Sequence, residues 1–523
     1  MLVYGDHRER VDPQERLREL AGLLSVAAAM PPGIARHGKL VGALVEAGQL
    51  LQGLEDEGWT SAEVNAFVYR LAAAVVRSWD SRFSEIGKLP DVPKSDLPPS
   101  VELRLPEGFA FYAVYPEAYI DAARRLRLSG SPQVIGIRSI GTTLGAVVAA
   151  AIEAPPPITV RPFGDPFARE VRLPHNLVDA DTHYVIVDEG PGLSGSSFGS
   201  VADALEARGV PLQRIAFLPS HGGDLGPKAS ERHRSRWSKA QRLAAPFDEC
   251  WLADLYGPLE EITPGSQWAR RKFLGWRAGE RVLVKFAGLG AIGERKLEMA
   301  RALHSVGFIP EPVEFVHGFL VERWCEDAQP LRDDEKPVDE IGRYLGVRAR
   351  LFPASDNSGA SIDELLTMCR RNISLEFGEE ACRSLNHFDE QFLASRLSRV
   401  RTDNKLDRHE WLRMPDGRLL KSDAVEHHQG HDLIGSQDLA WDIAGAVAEF
   451  ELDSGATARL IAASGCQVDP GLLDFYRVAY ASFRLGRAVL AGEAAEADRY
   501  RRSLERLLHQ HVCPETRRES LVD

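Results

Sequence analysis

Cysteine is scarce in this chain. Six occur in 523 residues, at Cys250, Cys325, Cys369, Cys382, Cys466 and Cys513, with no CxxC pair and no histidine at ligand spacing beside them. That excludes a disulfide-stapled scaffold and a zinc ribbon, and it fits reduced thiols in a cytosolic protein. Positive charge is in deficit: 63 Lys and Arg stand against 76 Asp and Glu, for a net charge of −13. A general nucleic-acid binder is not expected from such a balance. Long hydrophobic runs are also missing. The most apolar stretch, LGAVVAAAIEAPPP, is too short to span a bilayer. The first residues, MLVYGDHRERVDPQERLRE, are charged from the sixth position and carry no apolar signal core. No internal repeat is present. A soluble, cytoplasmic protein without a membrane partner is expected, and a homo-oligomer is compatible with this composition.

What is present is length, periodicity and two groups of chemical residues. A chain of 523 residues exceeds one ordinary core. The expected fold class is α/β multidomain, in three parts. Residues 1–99 form a helical N-terminal segment, with apolar residues at three- and four-residue spacing in RLRELAGLLSVAAAM and SAEVNAFVYRLAAAVVRSW. The Pro-rich stretch KLPDVPKSDLPPSVELRLPEG closes it. Residues 100–240 alternate strand and helix: VIGIRS, TLGAVVAAAIE, ITVRPFG, YVIVDE, FGSVADALEAR, RIAFLPS. Apolar strands alternating with helices predict a parallel sheet covered on both faces. The polar run HGGDLGPKASERHRSRWSKAQR reads as a loop. Residues 245–523 begin with strand-like segments, RVLVKF and GFLVERW, and end in helices, giving an α+β unit.

The first chemical group follows YVIVDE. Parallel sheets bind ligands beyond the carboxyl ends of their strands, and Asp188 and Glu189 stand at such an end. Gly190, Pro191, Gly192, Leu193, Ser194, Gly195, Ser196 and Ser197 then lead into a helix. Glycines let backbone N–H groups approach an anion, and a helix N-terminus favours negative charge. Ser194, Ser196 and Ser197 add hydroxyl donors. The loop suits a phosphate, and the acids suit hydroxyl groups or a metal. A phosphate beside two hydroxyls describes a ribose 5-phosphate.

This stretch resembles the phosphoribosyl-diphosphate (PRPP) motif of type I phosphoribosyltransferases, with one residue more between Glu189 and Ser194 than that family's pattern. The resemblance implies a diphosphate loop at GIRSIGTTLGA, with Arg138, Ser139, Gly141, Thr142 and Thr143 as ligand contacts. It implies a mobile hood at residues 159–174, where Arg161 and Arg169 would neutralise departing diphosphate, with Mg²⁺ as cofactor. Asp188 and Glu189 would stabilise charge on the ribose. The same acids and Gly-Ser loop can equally serve as a plain loop and helix cap.

The second group begins at ERVLVKFAG, which places Lys285 in an apolar strand. ERKLEMARALHSVG follows as a helix carrying Glu294 and Glu298. Far downstream come RLLKSDAVEHH, with Asp423 at a strand end, and QDLAWDIAGAVAEF, with Asp438 and Asp442. This order resembles the aminoglycoside phosphotransferase and choline kinase group of protein-kinase-like folds. The resemblance implies ATP and Mg²⁺, with Lys285 as phosphate contact and Glu298, or else Glu294, as its helix partner. Asp423 would hold metal, and Asp438 would cap a structural helix. In RTDNKLDRHEWL, Glu410 falls at the family's metal-binding Asn and Lys405 at its catalytic Asp. Asp403 or Asp407 is left as base with a shifted loop. His427, His428 and His431 in EHHQGHDL read as a polar loop near this cleft. Two functions are carried forward. One is a PRPP-dependent transferase acting on a small-molecule acceptor, with a kinase-like domain that would transfer phosphate. The other is a regulatory PRPP- or nucleotide-binding protein with a degenerate kinase-like domain.

Overall fold

Helix α2 (Ile34–Asp56) is the spine of the molecule, and its glycines explain how. Sixteen of its residues are buried, so it is covered nearly all round. A Cβ at Gly42 would lie 2.8 Å from the Cα of Gly290, and one at Gly53 would lie 2.7 Å from the carbonyl of Glu102. Backbone therefore meets backbone at both contacts. Helix α1 (Pro13–Ala29) packs on α2 through Leu17, Leu20, Leu24 and Ala27, and α3 (Ala62–Asp80) through Phe67, Leu71 and Val75. Asp12 caps α1 by accepting from the N–H groups of Gln14 and Glu15.

The computed structural model describes residues 1–5, 8–173, 178–262, 270–356, 358–427 and 431–512. Cys513, His428 and the last residue of the expected hood lie outside them. The other five cysteines are free thiols. Among the described residues no helix is long and apolar enough to cross a membrane.

After α4 (Pro116–Arg124) the chain builds a parallel sheet. Its strands are β1 (Gln133–Ile137), β2 (Ile158–Val160), β5 (Tyr184–Val187), β6 (Ile215–Leu218) and β7 (Gln241–Arg242). The spatial order is β2-β1-β5-β6-β7 and every pairing is parallel. Helix α5 (Ile140–Ala151) follows β1, and α6 (Ser196–Glu206) follows β5. A hairpin of β3 (Phe163–Asp165) and β4 (Ala168–Glu170) projects from the end of β2. The expected loop after β6 instead contains helix α7 (Glu231–Lys239). Ser230 caps it, accepting from the N–H of His233. Trp237 packs against Phe198 and Phe217, and buried Arg236 pairs with Asp203 and Glu206 of α6. Ion pairs and one buried Trp, rather than an apolar stripe, hold this helix, and the hydropathy pattern gave no sign of it.

A second sheet is wholly antiparallel, in the order β8-β9-β10-β12-β11. The strands are β8 (Glu260–Glu261), β9 (Lys272–Arg277), β10 (Glu280–Phe286), β11 (Pro312–Val316) and β12 (Phe319–Arg323), with helix α8 (Ala291–Ser305) between β10 and β11. The part that follows includes helices α9 (Val338–Leu351), α10 (Ile362–Phe377), α11 (Leu439–Glu449), α12 (Pro470–Ala491) and α13 (Ala494–Val512). The short strands β13 (Trp411–Arg413) and β14 (Leu419–Lys421) lie before α11 in the chain. One apolar core runs from Leu17 of α1, through α2 and the parallel sheet, to Val321 of β12. The mixed α/β architecture and the parallel sheet are as expected.

Candidate functional sites

The parallel sheet reverses its winding at β1. The chain passes from β1 to β2 on one side and later adds β5 on the other. Ligands of open α/β sheets bind at such a switch point, beyond the strand ends. Asp188 and Glu189 follow β5 directly, and Arg138 and Ser139 follow β1. Burial pushes Asp188 up to about 7, against the pull of Arg169 and Arg161. Burial, with Asp188 and Glu107 beside it, pushes Glu189 up to about 8. Residues 108–111 close over this edge: a Cβ at Gly108 would lie 2.7 Å from Oε2 of Glu189.

The residues around these acids are engaged elsewhere. Arg138 pairs with Glu55 at 2.9 Å and Asp56 at 3.0 Å, and Arg161 with Asp56 at 2.5 Å, all on α2. Arg161 also donates to the carbonyl of Arg138. Arg169 is exposed on the hairpin. The hydroxyls of Ser194 and Ser196 donate to the carbonyl of Pro166 at the hairpin tip, at 3.3 and 2.7 Å. Ser194 also accepts from the N–H of Ser196. Gly192 and Gly195 take positive φ, and Ser197 is half-buried at the start of α6. Gly141 lets α5 approach β5, since a Cβ there would lie 2.6 Å from the carbonyl of Val187. Thr143 fills the space left by Gly48 of α2, and the buried hydroxyl of Thr142 has no hydrogen-bond partner. In the structure Ser194 and Ser196 hold the hood, Arg138 and Arg161 hold α2, and Arg169 alone of the expected arginines stays exposed.

The second group of residues joins β10 of the antiparallel sheet to the segments on either side of β13 and β14. Register sets its geometry. Lys285 of β10 stands opposite Lys272 of β9, so both ammonium groups share a face. Like charges directly opposite repel, and Asp423 joins them: its carboxylate lies 3.1 Å from Nζ of Lys272 and 3.9 Å from that of Lys285. Burial would raise the Asp423 carboxyl, but the two lysines hold it well below its ordinary range. Lys285 itself is 2% exposed and pairs with Glu322 of β12 at 3.0 Å.

Glu298 lies exposed on α8, and Glu294 pairs with Lys39 at 2.6 Å. The helix turns Lys296 inward instead, fully buried. Its ammonium donates to the carbonyl of Ala287 at 2.6 Å and lies 3.1 Å from Glu426. Burial, with Arg270 nearby, pulls its pKa well below the usual lysine value.

The positions expected for base and metal ligand carry an ion pair. Nζ of Lys405 lies 2.6 Å from Glu410, whose other oxygen is 2.5 Å from Nζ of Lys421. Asp403 is fully buried. It accepts from the hydroxyl of Tyr344 and lies 3.4 Å from Lys421. Asp407 is 2.7 Å from Arg484 and 3.5 Å from Lys405. Burial would raise Asp407, yet Arg484 and Lys405 hold it well below its ordinary value. Asp438 caps α11, accepting from the N–H of Ala440, and Asp442 accepts from the N–H groups of Asp403 and Asn404 at 2.8 and 2.9 Å.

Glu410, Asp423 and His427 bring one ligand atom each within 4.8 Å of one another. Asp423 Oδ1 and His427 Nε2 are sealed from solvent without a hydrogen-bond partner. Burial, with Lys405 beside it, pulls His427 well below the usual histidine value, so the imidazole is neutral at physiological pH. This donor set fits a divalent cation. His427 was the ligand that motif reasoning passed over, although it stands one helical turn's spacing after Asp423. His431 lies apart from this cluster, 3.0 Å from Glu107.

No protein-family model matches the chain, and no curated protein matches it. Among solved structures, the choline kinase LicA from Streptococcus pneumoniae is 16% identical, with a TM-score of 0.37. That alignment covers 50% of this chain and 96% of that one. A choline/ethanolamine kinase family protein from Mesorhizobium loti is 18% identical over 51% of this chain and 92% of its own, with a TM-score of 0.36. A thermostable mutant of aminoglycoside phosphotransferase APH(4)-Ia is 12% identical over 50% and 99%, with a TM-score of 0.34. None of these three is described as a phosphoribosyltransferase.

Proposed function

We propose that this chain is a nucleotide-binding regulatory protein whose C-terminal cleft holds a nucleotide without transferring its phosphate. The observation that carries this reading is the Lys405–Glu410 pair at 2.6 Å. It occupies the positions that the kinase resemblance gives to the base and to a metal ligand. A general base must accept a proton from the acceptor hydroxyl within hydrogen-bond reach. Burial pulls the Lys405 ammonium down, but Glu410 and Asp407 hold it well above the ordinary lysine value, so it accepts nothing at neutral pH. Asp403 and Asp407 are committed to Tyr344 and Arg484. Binding needs less. Lys285 supplies a buried positive charge for phosphate oxygens. Asp423 Oδ1 and His427 Nε2, both buried without a hydrogen-bond partner, would hold a divalent cation, which would supply charge neutralisation to phosphates when bound. A nitrogen ligand suits Mn²⁺ better than Mg²⁺, which prefers oxygen throughout.

Calorimetric titration of ATP with Mn²⁺ or Mg²⁺ into the full chain tests the reading, with the nucleotide recovered afterwards by chromatography. Binding is expected without ADP formation, tighter with Mn²⁺. Lys285→Ala should weaken it about 10- to 100-fold, the loss of one charge-assisted contact. ADP formation that disappears in Asp403→Asn or Asp407→Asn would overturn the assignment.

A second reading concerns the parallel sheet, and the placement of Asp188 and Glu189 at the switch point favours it. We infer that this edge binds a ribosyl phosphate, PRPP included, as an effector. Carboxyls raised to about 7 and 8 remain partly protonated at neutral pH, so they donate to ribose hydroxyls as well as accept from them. Hairpin β3–β4 would give up its Pro166 contact, freeing Ser194 and Ser196 for the phosphate. Commitment of Arg138 and Arg161 to α2 speaks against diphosphate chemistry. Titration of PRPP should show binding that Asp188→Asn/Glu189→Gln abolishes, with no diphosphate released. Release of diphosphate with a suitable acceptor would restore the transferase reading.

A further inference from the structure

Away from both sites, three ligand-type side chains from distant parts of the sequence meet in the core. His37 lies on α2, Glu117 in the first turn of α4, and His317 at the turn joining β11 to β12. They are 0%, 4% and 5% exposed. Both imidazoles direct Nε2 at the same carboxylate oxygen, Oε1 of Glu117, at 2.5 and 2.8 Å. The three ligand atoms lie within 4.8 Å of one another. The second carboxylate oxygen, Oε2, is buried without a hydrogen-bond partner, and so is Nδ1 of His317. The walls are aromatic: Phe83 and Trp79 beside His37, Tyr115 and Trp251 beside His317.

Taking a carboxylate into such surroundings requires charge compensation. Among the described residues the only ion-pair partners of Glu117 are these two imidazoles. Both imidazoles meet Oε1 alone, which leaves the buried Oε2 in need of a partner as well. A divalent cation answers both demands at once. It balances the carboxylate, and it uses neutral imidazoles as ligands. Ser78 supports that arrangement: its Oγ lies 2.9 Å from Nδ1 of His37, placed to accept that N–H and leave Nε2 free to coordinate.

We propose that His37, Glu117 and His317 form a structural site for a divalent transition-metal ion of the zinc class. Two imidazole nitrogens and one carboxylate are ligands such ions accept. The ion clips α2 to α4 and to the β11–β12 turn. Full burial gives it no room for substrate, which makes the site structural rather than catalytic. This inference stands apart from the nucleotide reading, which involves different residues.

The test uses the full chain carrying Glu410→Gln/His427→Asn, which disables the two other groups of ligand-type side chains, Glu410–Asp423–His427 and Asp407–His409–Glu410. The protein is stripped with chelator and equilibrated with Zn²⁺ or Co²⁺. Bound metal and the melting midpoint are then measured. About one ion per chain is expected, with a midpoint that rises as free Zn²⁺ rises. Adding His317→Gln, which retains a hydrogen bond to Glu117, should lower bound metal at least about tenfold and remove the midpoint shift. A folded parent that binds neither ion would overturn the proposal, as would unchanged stoichiometry in the His317 variant. Should that variant not fold, the Co²⁺-loaded parent decides: paramagnetically shifted, exchangeable imidazole N–H signals from two histidines support the site, and their absence removes it.

Discussion

At the scale of single residues, environment sets the chemistry more than identity does. Asp188 and Glu189 are ordinary acids in sequence, but burial raises both in the folded chain. Between about pH 4 and pH 8 the folded state therefore binds more protons at these groups than the unfolded state does. Their contribution to stability is full below pH 4, falls as pH rises through this window, and levels off above it. Asp188→Asn/Glu189→Gln removes that loss, so the variant should melt higher than the parent at pH 8 and not at pH 4.5. A scan of melting midpoint against pH checks this, and parallel profiles for the two proteins would refute it. Asp442, which burial also raises to about 7, has a different role and holds backbone. It accepts from two buried N–H groups in the segment carrying Asp403. Asp442→Ala should cost about 2–4 kcal/mol in urea unfolding, as two buried donors lose their partner.

At the scale of elements, phase and register assign the partners. On α8 the buried positions are Ile292, Gly293, Lys296, Met299, Ala300 and Leu303. Lys296 belongs to that stripe, and Glu298 lies about 200° further round the helix. The apolar spacing already contained this answer, and matching glutamates to a family pattern obscured it. Glu298→Ala is expected to change stability by less than about 0.5 kcal/mol. Lys296→Ala should cost about 1–3 kcal/mol, because a buried side chain is lost and Glu426 keeps only Arg270 as a cationic partner. Chemical denaturation of the two variants distinguishes the faces. Helix α7 makes a related point. Its start is marked by Ser230, but Arg236 is stabilised by Asp203 and Glu206 from another helix, so no local apolar pattern announces it.

At the scale of the whole molecule, α2 joins parts that lie far apart in the chain. Its backbone at Gly42 rests against that of Gly290, just before α8, and one apolar core runs through both surroundings. A larger side chain cannot enter without separating them. Gly42→Val should destabilise by about 1–3 kcal/mol. It should also split a single thermal transition into two, with the antiparallel sheet and C-terminal helices melting apart from the rest. Differential scanning calorimetry reads the outcome, and one unshifted transition would show that the contact does not couple them.

Sequence alone determined the local order. Short apolar runs placed β5 and β10, spacing of three and four placed α1 and α3, and the acids at the end of β5 followed from where an apolar strand stops. Those features depend on neighbours within a few residues. Tertiary structure decided every partner. Glu322 reaches Lys285 through antiparallel register, and Asp423 reaches Lys272 across about 150 residues of chain. Arg138 and Arg161 turn to acids on α2 because that helix lies beside their strand ends. His37, Glu117 and His317 share one oxygen although 80 and 200 residues separate them. Charge and coordination act over a few ångströms in space, and only the packing of distant segments decides which charges come that close.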